Sequence, residues 1–120
     1  MTDYLYKILP KSEWVEWQAS PHTHLPLSDL DRQDGFVHLS ELSQVLETCE
    51  RYFKHQSIVL LCLRKIQLKD AVKWEWVESR QMDFPHLFRP IHREDIAAIQ
   101  RILWENGSAK LGALTNMSTM

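Results

Sequence analysis

Glycine is scarce in this sequence, with three glycines among 120 residues. Loops that hold a phosphate through consecutive backbone N–H groups need several glycines within a few positions. No such cluster occurs, because the glycines are isolated and two of them lie close to the C-terminus. The sequence therefore excludes a glycine-rich phosphate loop as the basis of its function.

The sequence also contains only two cysteines and no long apolar run. The two cysteines, Cys49 and Cys62, each lie inside an apolar pattern, which predicts reduced and buried side chains. No stretch approaches the ~18 apolar residues of a membrane-spanning helix. The N-terminus "MTDYLYKILPK" lacks the basic start and the apolar run of a signal peptide. These features predict a cytoplasmic protein without a membrane partner.

An excess of positive charge is missing as well. The chain has 14 basic and 16 acidic residues and a formal net charge of -2. A balance of this kind argues against a large phosphate-contacting surface, and so against nucleic acid as a partner. The histidines of "HTH" and His92 have no carboxylate or cysteine at a metal-ligand spacing. No metal site is predicted.

Periodic patterns are clear in the first half of the chain. Residues 4–9 alternate and are rich in β-forming side chains, which indicates a strand, and Pro10 can then open a helix that runs to about Ala19. A long polar loop follows, with one helical turn near "LSDLD". "FVHLS" predicts a short strand. After it, one helical stripe is formed by Leu42, Val45, Leu46, Cys49 and Phe53.

Two strand patterns dominate the middle of the chain. "SIVLLCLR" is continuously apolar, as expected of a central strand that is buried on both faces. "AVKWEWVE" alternates, with Val72, Trp74 and Trp76 on one face and Lys73 and Glu75 on the other. The paired tryptophans fit either core packing or a stacking platform for a planar ligand.

The last pattern and the overall count define the fold class. Residues 96–104 indicate a final strand, and residues 105–120 lack a usable pattern, which predicts a flexible C-terminal tail after a single domain of residues 1–104. About five strands and two main helices result, with few β-α-β alternations. The sequence therefore predicts an α+β domain with a mainly antiparallel, split β-sheet.

His38 and Ser40 are the first candidate functional residues. Both lie on "FVHLS", at the junction of a predicted strand and a predicted helix. A strand histidine can be purely structural, and Ser40 can serve simply as the N-cap of the helix. A helix N-terminus also offers unpaired N–H donors and a partial positive charge, which suit an anionic ligand group such as a phosphate.

Glu75 and His86 are the next candidates. Glu75 lies between two tryptophans and is either a solvent-facing carboxylate or a cleft residue that stabilises a developing positive charge. His86 lies in "FPHLF", where Pro85 restrains the backbone before it. It is either a surface loop residue or an acid, base or hydrogen-bond donor.

The order of these segments resembles a known family. "YLYKIL", "DGFVHLSELSQVLETCERYF", "IVLLCL", "VKWE" and "FPHLFRPI" resemble the family called domain of unknown function 952, over residues 4 to about 103. "DGFVHLS" and "FPHLF" with "WE" between them are the specific part. More remotely, the chain is similar to the ADP-ribosyltransferase-like fold, and within it to RNA 2'-phosphotransferases, which use NAD and carry an "HLS"-like strand.

That resemblance implies a function and a set of roles. It implies an ADP-ribosyltransferase-like fold of two packed sheets around an NAD cleft, and an NAD-dependent ADP-ribosyl or 2'-phosphate transferase activity. Lys7 and His38 would bind the dinucleotide, and Ser40 with the helix start would hold a phosphate. Glu75 would stabilise an oxocarbenium-like centre, and His86 would orient the acceptor.

Two other functions compete with this hypothesis. The first is a two-histidine phosphoesterase, for which "HLS" supplies one half-motif and "HLF" lacks the second hydroxyl. The second is a non-catalytic module that binds a nucleotide or a protein partner. All three need a shared site, so we expect His38, Ser40, Glu75 and His86 to line a single pocket. We also expect His38→Ala to fold and to lose ligand binding.

Overall fold

The computed structural model describes residues 3–116, which form two antiparallel β-sheets and four α-helices. The helices are α1 (Lys11–Ala19), α2 (Asp29–Asp34), α3 (Leu42–Tyr52) and α4 (Lys65–Leu68). The strands are β1 (Tyr4–Pro10), β2 (Val37–His38), β3 (Ile58–Arg64), β4 (Val72–Val77), β5 (Met82–Leu87), β6 (Ile96–Glu105) and β7 (Ser108–Asn116), and a 3-10 turn covers Arg93–Asp95. The predicted α+β class with a mainly antiparallel, split sheet is confirmed.

The larger sheet has the strand order β1-β3-β6-β7, and its two faces carry the two halves of the core. β3 is buried from Ile58 to Leu63, as its unbroken apolar sequence predicts. On one face, α3 packs its apolar stripe through Val45 and Cys49. On the other face, the second sheet and the buried Trp14 and Trp17 of α1 complete the core.

The smaller sheet has the order β2-β5-β4 and places His38 directly opposite His86. β2 is shorter than the predicted strand 36–40, because the next residue of β5 in the ladder is Pro85. Pro85 accepts a bond from the Leu39 N–H at 3.1 Å but has no N–H of its own to return. The "FPHLF" segment is mostly strand β5, so His86 is a strand residue and not a surface loop residue.

Ser40 joins the two sheets instead of capping a helix. Its backbone forms an isolated antiparallel bridge with Tyr6 of β1, through two hydrogen bonds of 2.8 and 2.9 Å. The N-cap of α3 is Glu41, whose backbone carbonyl accepts the Gln44 N–H at 2.9 Å, while the Gln44 side chain accepts the Glu41 N–H at 2.9 Å. The prediction that Ser40 caps this helix is wrong, because Ser40 is held in the bridge to β1 and lies one residue before the N-cap.

The predicted flexible tail is also corrected. Residues 108–116 form β7, which pairs with β6 along most of its length. The hairpin turns at Asn106 and Gly107, whose φ angles are 50° and 83°. An Asn-Gly pair favours this kind of two-residue turn, and it is the signal that could have located the strand. Residues 117–120 lie outside the described part of the chain.

No helix within residues 3–116 is both long enough and apolar enough to cross a lipid bilayer.

The two thiols should be unreactive in the native protein. Cys49 and Cys62 are buried on the α3 face of the larger sheet. Burial raises the pKa of the Cys49 thiol to about 12 and that of Cys62 to about 11. At pH 8 we expect almost no thiolate and little reaction with a disulfide reagent, since the thiolate is the nucleophile. The same titration in denaturant should reveal both thiols, and a disulfide or two fast-reacting native thiols would contradict the prediction.

Candidate active site

A cleft of about 600 Å³ opens beside the edge of β1, just past the Tyr6–Ser40 bridge. Clefts of roughly 300–1,000 Å³ hold nucleotide-sized ligands. Four further elements form its walls: α2, the segment from His38 to Ser40, the C-terminal part of α3, and the end of the β4–β5 hairpin. The cleft therefore lies where the smaller sheet meets the larger one.

A buried ion pair forms one wall of the cleft. The Lys7 ammonium lies 2.9 Å from Oδ2 of Asp31, and the side chains are only 9% and 3% exposed. Ser28 caps α2 by accepting the Asp31 N–H at 3.1 Å, which fixes where the Asp31 side chain begins. Burial alone would raise the pKa of Asp31. The hydrogen bond from His38 and the charge of Lys7 outweigh it and lower that pKa to about 2.

His38 is held between two carboxylates. Its Nδ1 lies 2.6 Å from Asp31 Oδ1, and its Nε2 lies 2.9 Å from Asp34 Oδ2. The His38 backbone N–H also donates to Asp31 Oδ1, at 3.3 Å. Both ring nitrogens therefore have carboxylate oxygens within hydrogen-bond distance. His38 thus has protein partners on both sides, which its sequence context did not indicate.

His86 has the opposite arrangement. Its ring is 8% exposed, its Nδ1 lies 2.7 Å from Glu75 Oε1, and Phe36 stacks on it with 3.9 Å between ring centroids. Its Nε2 has no hydrogen-bond partner among residues 3–116. Among residues 3–116, Nε of Arg80 is the one fully buried side-chain nitrogen or oxygen without a hydrogen-bond partner. Nε2 of His86 is therefore not fully buried but accessible at least in part, and the residue lines the cleft.

Ser40 lines the same cleft without performing the predicted capping. The residue is 4% exposed, and its hydroxyl has no hydrogen bond to another residue of the 3–116 region. At the start of α3, the N-cap is Glu41, whose backbone carbonyl accepts the Gln44 N–H at 2.9 Å and whose own N–H donates to the Gln44 side chain.

The candidate residues converge to a large extent. Lys7, His38, Ser40 and His86 line the one cleft. Glu75 does not line it and instead contacts the cleft through His86. The expected pocket therefore contains both histidines, with Glu75 behind one of them.

Three cleft residues were not found from the sequence. Asp31 and Asp34 lie on a short polar helix, and only the Ser28 capping pattern marks that helix in the sequence. Arg80 is buried in the cleft wall, donates to Thr48 at 2.9 Å and stacks its guanidinium 4.7 Å from the Phe84 ring centroid. A buried arginine after "VES" has no sequence signal, because its partners come from α3.

Arg89 takes a structural position outside the cleft. Its guanidinium forms two hydrogen bonds with the Asp95 carboxylate, at 2.8 and 3.0 Å. Burial alone would raise the pKa of Asp95, but the bonds from Arg89 and from the His92 backbone outweigh it and lower that pKa. Within residues 3–116 no group of three or more His, Cys, Asp and Glu side chains is arranged to hold a metal ion.

Comparison with known proteins identifies the family of the chain. A family model described as "Protein of unknown function (DUF952)" matches residues 8–99. The chain belongs to the DUF952 family. The matched range contains both histidines, Ser40 and Glu75, so the cleft described above is built from the family region.

Solved structures of another protein share this fold. The crystal structure of protein CC0527 from Caulobacter crescentus is 31% identical, covers 89% of this chain and 93% of that chain, and has a TM-score of 0.78. The solution NMR structure of CC0527 is 30% identical, covers 90% and 91% of the two chains, and has a TM-score of 0.76. No match was found among the curated proteins.

The buried Asp31 should make stability depend on acid. Its folded pKa of about 2 lies below its ordinary value of 3.8. The stabilisation is therefore complete above pH 4 and is lost as the pH falls through about 2. The difference corresponds to about 2 kcal/mol of unfolding free energy. In urea unfolding, the unfolding free energy of Asp31→Asn should fall between pH 5 and pH 2 by about 2 kcal/mol less than that of the wild type.

A matched control is available on the same helix. The carboxylate of Asp29 is fully exposed, so Asp29→Asn should keep the wild-type acid dependence. At neutral pH, Asp31→Asn should also be less stable by roughly 3 kcal/mol, because it leaves the Lys7 ammonium buried without its counter-charge. Equal acid dependence of Asp31→Asn and the wild type would contradict this account of the ion pair.

Proposed function

We propose that this DUF952 protein binds a nucleotide in the cleft, with NAD as the cofactor, and transfers an ADP-ribosyl group or a 2'-phosphate. The observation that carries the proposal is the Glu75–His86 pair. A buried imidazole held on one nitrogen by a carboxylate, with its other nitrogen open to a cleft, is the arrangement of a general acid or base. The resemblance of "FVHLS" to the strand of NAD-using phosphotransferases supplies the substrate class.

The cleft fits such a ligand in size and in its polar groups. Its volume of about 600 Å³ is sufficient for a nucleotide. Two polar groups of cleft residues, the Ser40 hydroxyl and Nε2 of His86, are without protein partners in the described region and are available to ligand hydroxyl or phosphate oxygens. NAD, when bound, would supply an ADP-ribosyl group attached to a nicotinamide leaving group.

The chain's own residues then have the following roles. Nε2 of His86 takes the proton of the acceptor hydroxyl as that oxygen forms its new bond to the transferred group. Glu75 accepts the Nδ1–H and stabilises the charge that appears on the ring. Glu75 is thus a positioning residue, because its carboxylate reaches the cleft only through His86. This differs from the direct stabilisation of a cationic centre that its sequence context implied.

Lys7 and His38 contribute to ligand binding through shared contacts. The Lys7 ammonium is bound to Asp31, and both ring nitrogens of His38 have carboxylate partners. Of those partners, Asp34 is the exposed one, at 36%. A ligand group therefore reaches His38 when Asp34 moves aside, whereas it reaches His86 without any rearrangement.

A two-histidine phosphoesterase is the second candidate. The direct pairing of His38 with His86 favours it, since their ring centroids are 5.7 Å apart across β2 and β5. One ring would take a proton from water and the other would protonate the leaving oxygen. This function needs a free nitrogen on His38, and both are bonded to carboxylates in the absence of a ligand.

Thermal melts with different nucleotides separate these functions. We expect NAD and ADP-ribose to raise the melting temperature of the wild type by mass action, because a ligand at a hundredfold excess over its dissociation constant adds about 2.7 kcal/mol to the unfolding free energy. His86→Ala should melt near the wild-type temperature without the ligand and show little shift with it. The matched control is His92→Ala, because His92 is an exposed histidine outside the cleft. Stabilisation by a cyclic nucleotide alone would favour the phosphoesterase.

The role of Glu75 requires a kinetic measurement. Glu75→Gln should bind NAD as the wild type does but release nicotinamide at least about a hundredfold more slowly, with a changed pH profile. An amide can still accept the Nδ1–H but cannot neutralise the imidazolium. A wild type that is stabilised by no nucleotide would overturn the proposal and favour a non-catalytic module that binds a protein partner.

A further inference from the structure

β4 is an edge strand with an unusual surface. It forms the outer edge of the smaller sheet, so one side of its backbone has no neighbouring strand among residues 3–116. Trp74 is 41% exposed and Trp76 is 57% exposed, on the same face of the strand. The strand contains no proline, and its pairing with β5 is continuous without a bulge. Edge strands that lack such protection are templates for pairing with another strand.

The hydrogen bonds of β5 show which β4 groups point outward. The backbone carbonyl of Pro85 accepts the Leu39 N–H on the β2 side of β5, so the hydrogen-bonding groups of Pro85 point away from β4. Trp74 lies opposite Pro85 and is therefore in a pair without hydrogen bonds. Backbone groups point alternately to the two sides of a strand. In agreement, the Phe88 N–H, just after β5, donates to the backbone carbonyl of Ala71, just before β4, at 2.8 Å. Hence Val72, Trp74 and Trp76 present their N–H and C=O groups to the open edge.

We propose that β4 pairs antiparallel with the β4 strand of a second copy of this chain, on a two-fold axis at Trp74. In this register Trp74 lies opposite the partner's Trp74, and Val72 lies opposite the partner's Trp76. All three outward-facing residues then lie in hydrogen-bonded pairs with outward-facing residues of the partner strand. The two smaller sheets become one continuous six-stranded sheet, and four exposed tryptophans gain neighbours across the axis.

Charge selects this register among the symmetric ones. A two-fold axis perpendicular to the sheet keeps each side chain on its own face, so only every second register is allowed. With the axis at Trp74, Lys73 lies opposite the partner's Glu75 twice. These are pairs without hydrogen bonds, in which the side chains approach most closely. Moving the axis to Lys73 or to Glu75 would place two like charges opposite each other instead.

The proposed pairing would also place a residue of the partner next to Glu75, which contacts the cleft through His86. Glu75 holds His86 through its Oε1, and its side chain is 44% exposed. In the dimer the partner's Lys73 would lie beside that carboxylate. The dimer is inferred from the β4 edge alone and does not depend on the proposed transferase activity.

Sedimentation over a wide concentration range tests the dimer. The wild type should show a monomer–dimer equilibrium. Lys73→Glu should weaken it at least about tenfold, because two attractive cross-strand pairs become repulsive. The double variant Lys73→Glu/Glu75→Lys should restore it, since the pairs are again of opposite charge. Lys110→Glu is the matched control, because Lys110 lies on β7, the edge strand of the other sheet.

Cross-linking tests the register independently of charge. Trp74→Cys should form an intermolecular disulfide under mild oxidation, because opposite residues in a hydrogen-bonded pair have Cα atoms about 5.5 Å apart. Trp76→Cys should not, since its own equivalent would lie four residues away along the pair. A monomer at every concentration overturns the proposal and leaves the β4 edge to a strand of another protein. A dimer that is insensitive to Lys73→Glu and not trapped by Trp74→Cys also overturns it.

Discussion

The carboxylate of Asp31 is the group on which the arrangement of the cleft depends. Its Oδ2 accepts from Lys7 of β1, and its Oδ1 accepts from both the ring and the backbone of His38 in β2. Removing a carboxylate from water is costly unless charged and polar partners replace the water. Three donors from two strands do so here, and their bonds hold β1 and β2 against α2. The short helix, the edge of the larger sheet and the start of the smaller sheet are thereby fixed to one another.

That junction determines which histidine is available. With His38 fixed on both nitrogens, the chain continues to Ser40, whose backbone bridges to Tyr6 and closes the gap between the sheets. The cross-strand register then places His86 opposite His38 at the cleft wall. Phe36 covers one face of His86 and leaves its Nε2 open. One histidine consequently belongs to the framework, and the other faces the space that the framework encloses.

The sequence predicted the elements whose patterns are local. The unbroken apolar run of β3, the stripe of α3 and the alternation of β4 each determine a structure from neighbouring residues alone. Glu75 and His86 could also be selected, because they stand out within such patterns. The role of Asp31 could not be predicted, since its partners lie 24 and 7 residues away and its own helix is otherwise polar. The prediction of Ser40 as the N-cap was wrong for the same reason, because its backbone is hydrogen-bonded to Tyr6 of the distant strand β1.

The two histidine–carboxylate pairs differ in which partner is buried, and this difference separates their roles. In the first pair the Asp31 carboxylate is 3% exposed and the His38 ring is 32% exposed, so the charge that must be compensated is enclosed. Any proton movement there would leave a buried charge without its partner, which favours a permanent structural interaction. In the second pair the His86 ring is 8% exposed and the Glu75 carboxylate is 44% exposed. Water still solvates Glu75, so the ring can gain or lose a proton without leaving an enclosed charge unpaired. The first pair is therefore expected to contribute to stability, and the second is the pair that the proposed transferase would use for proton transfer.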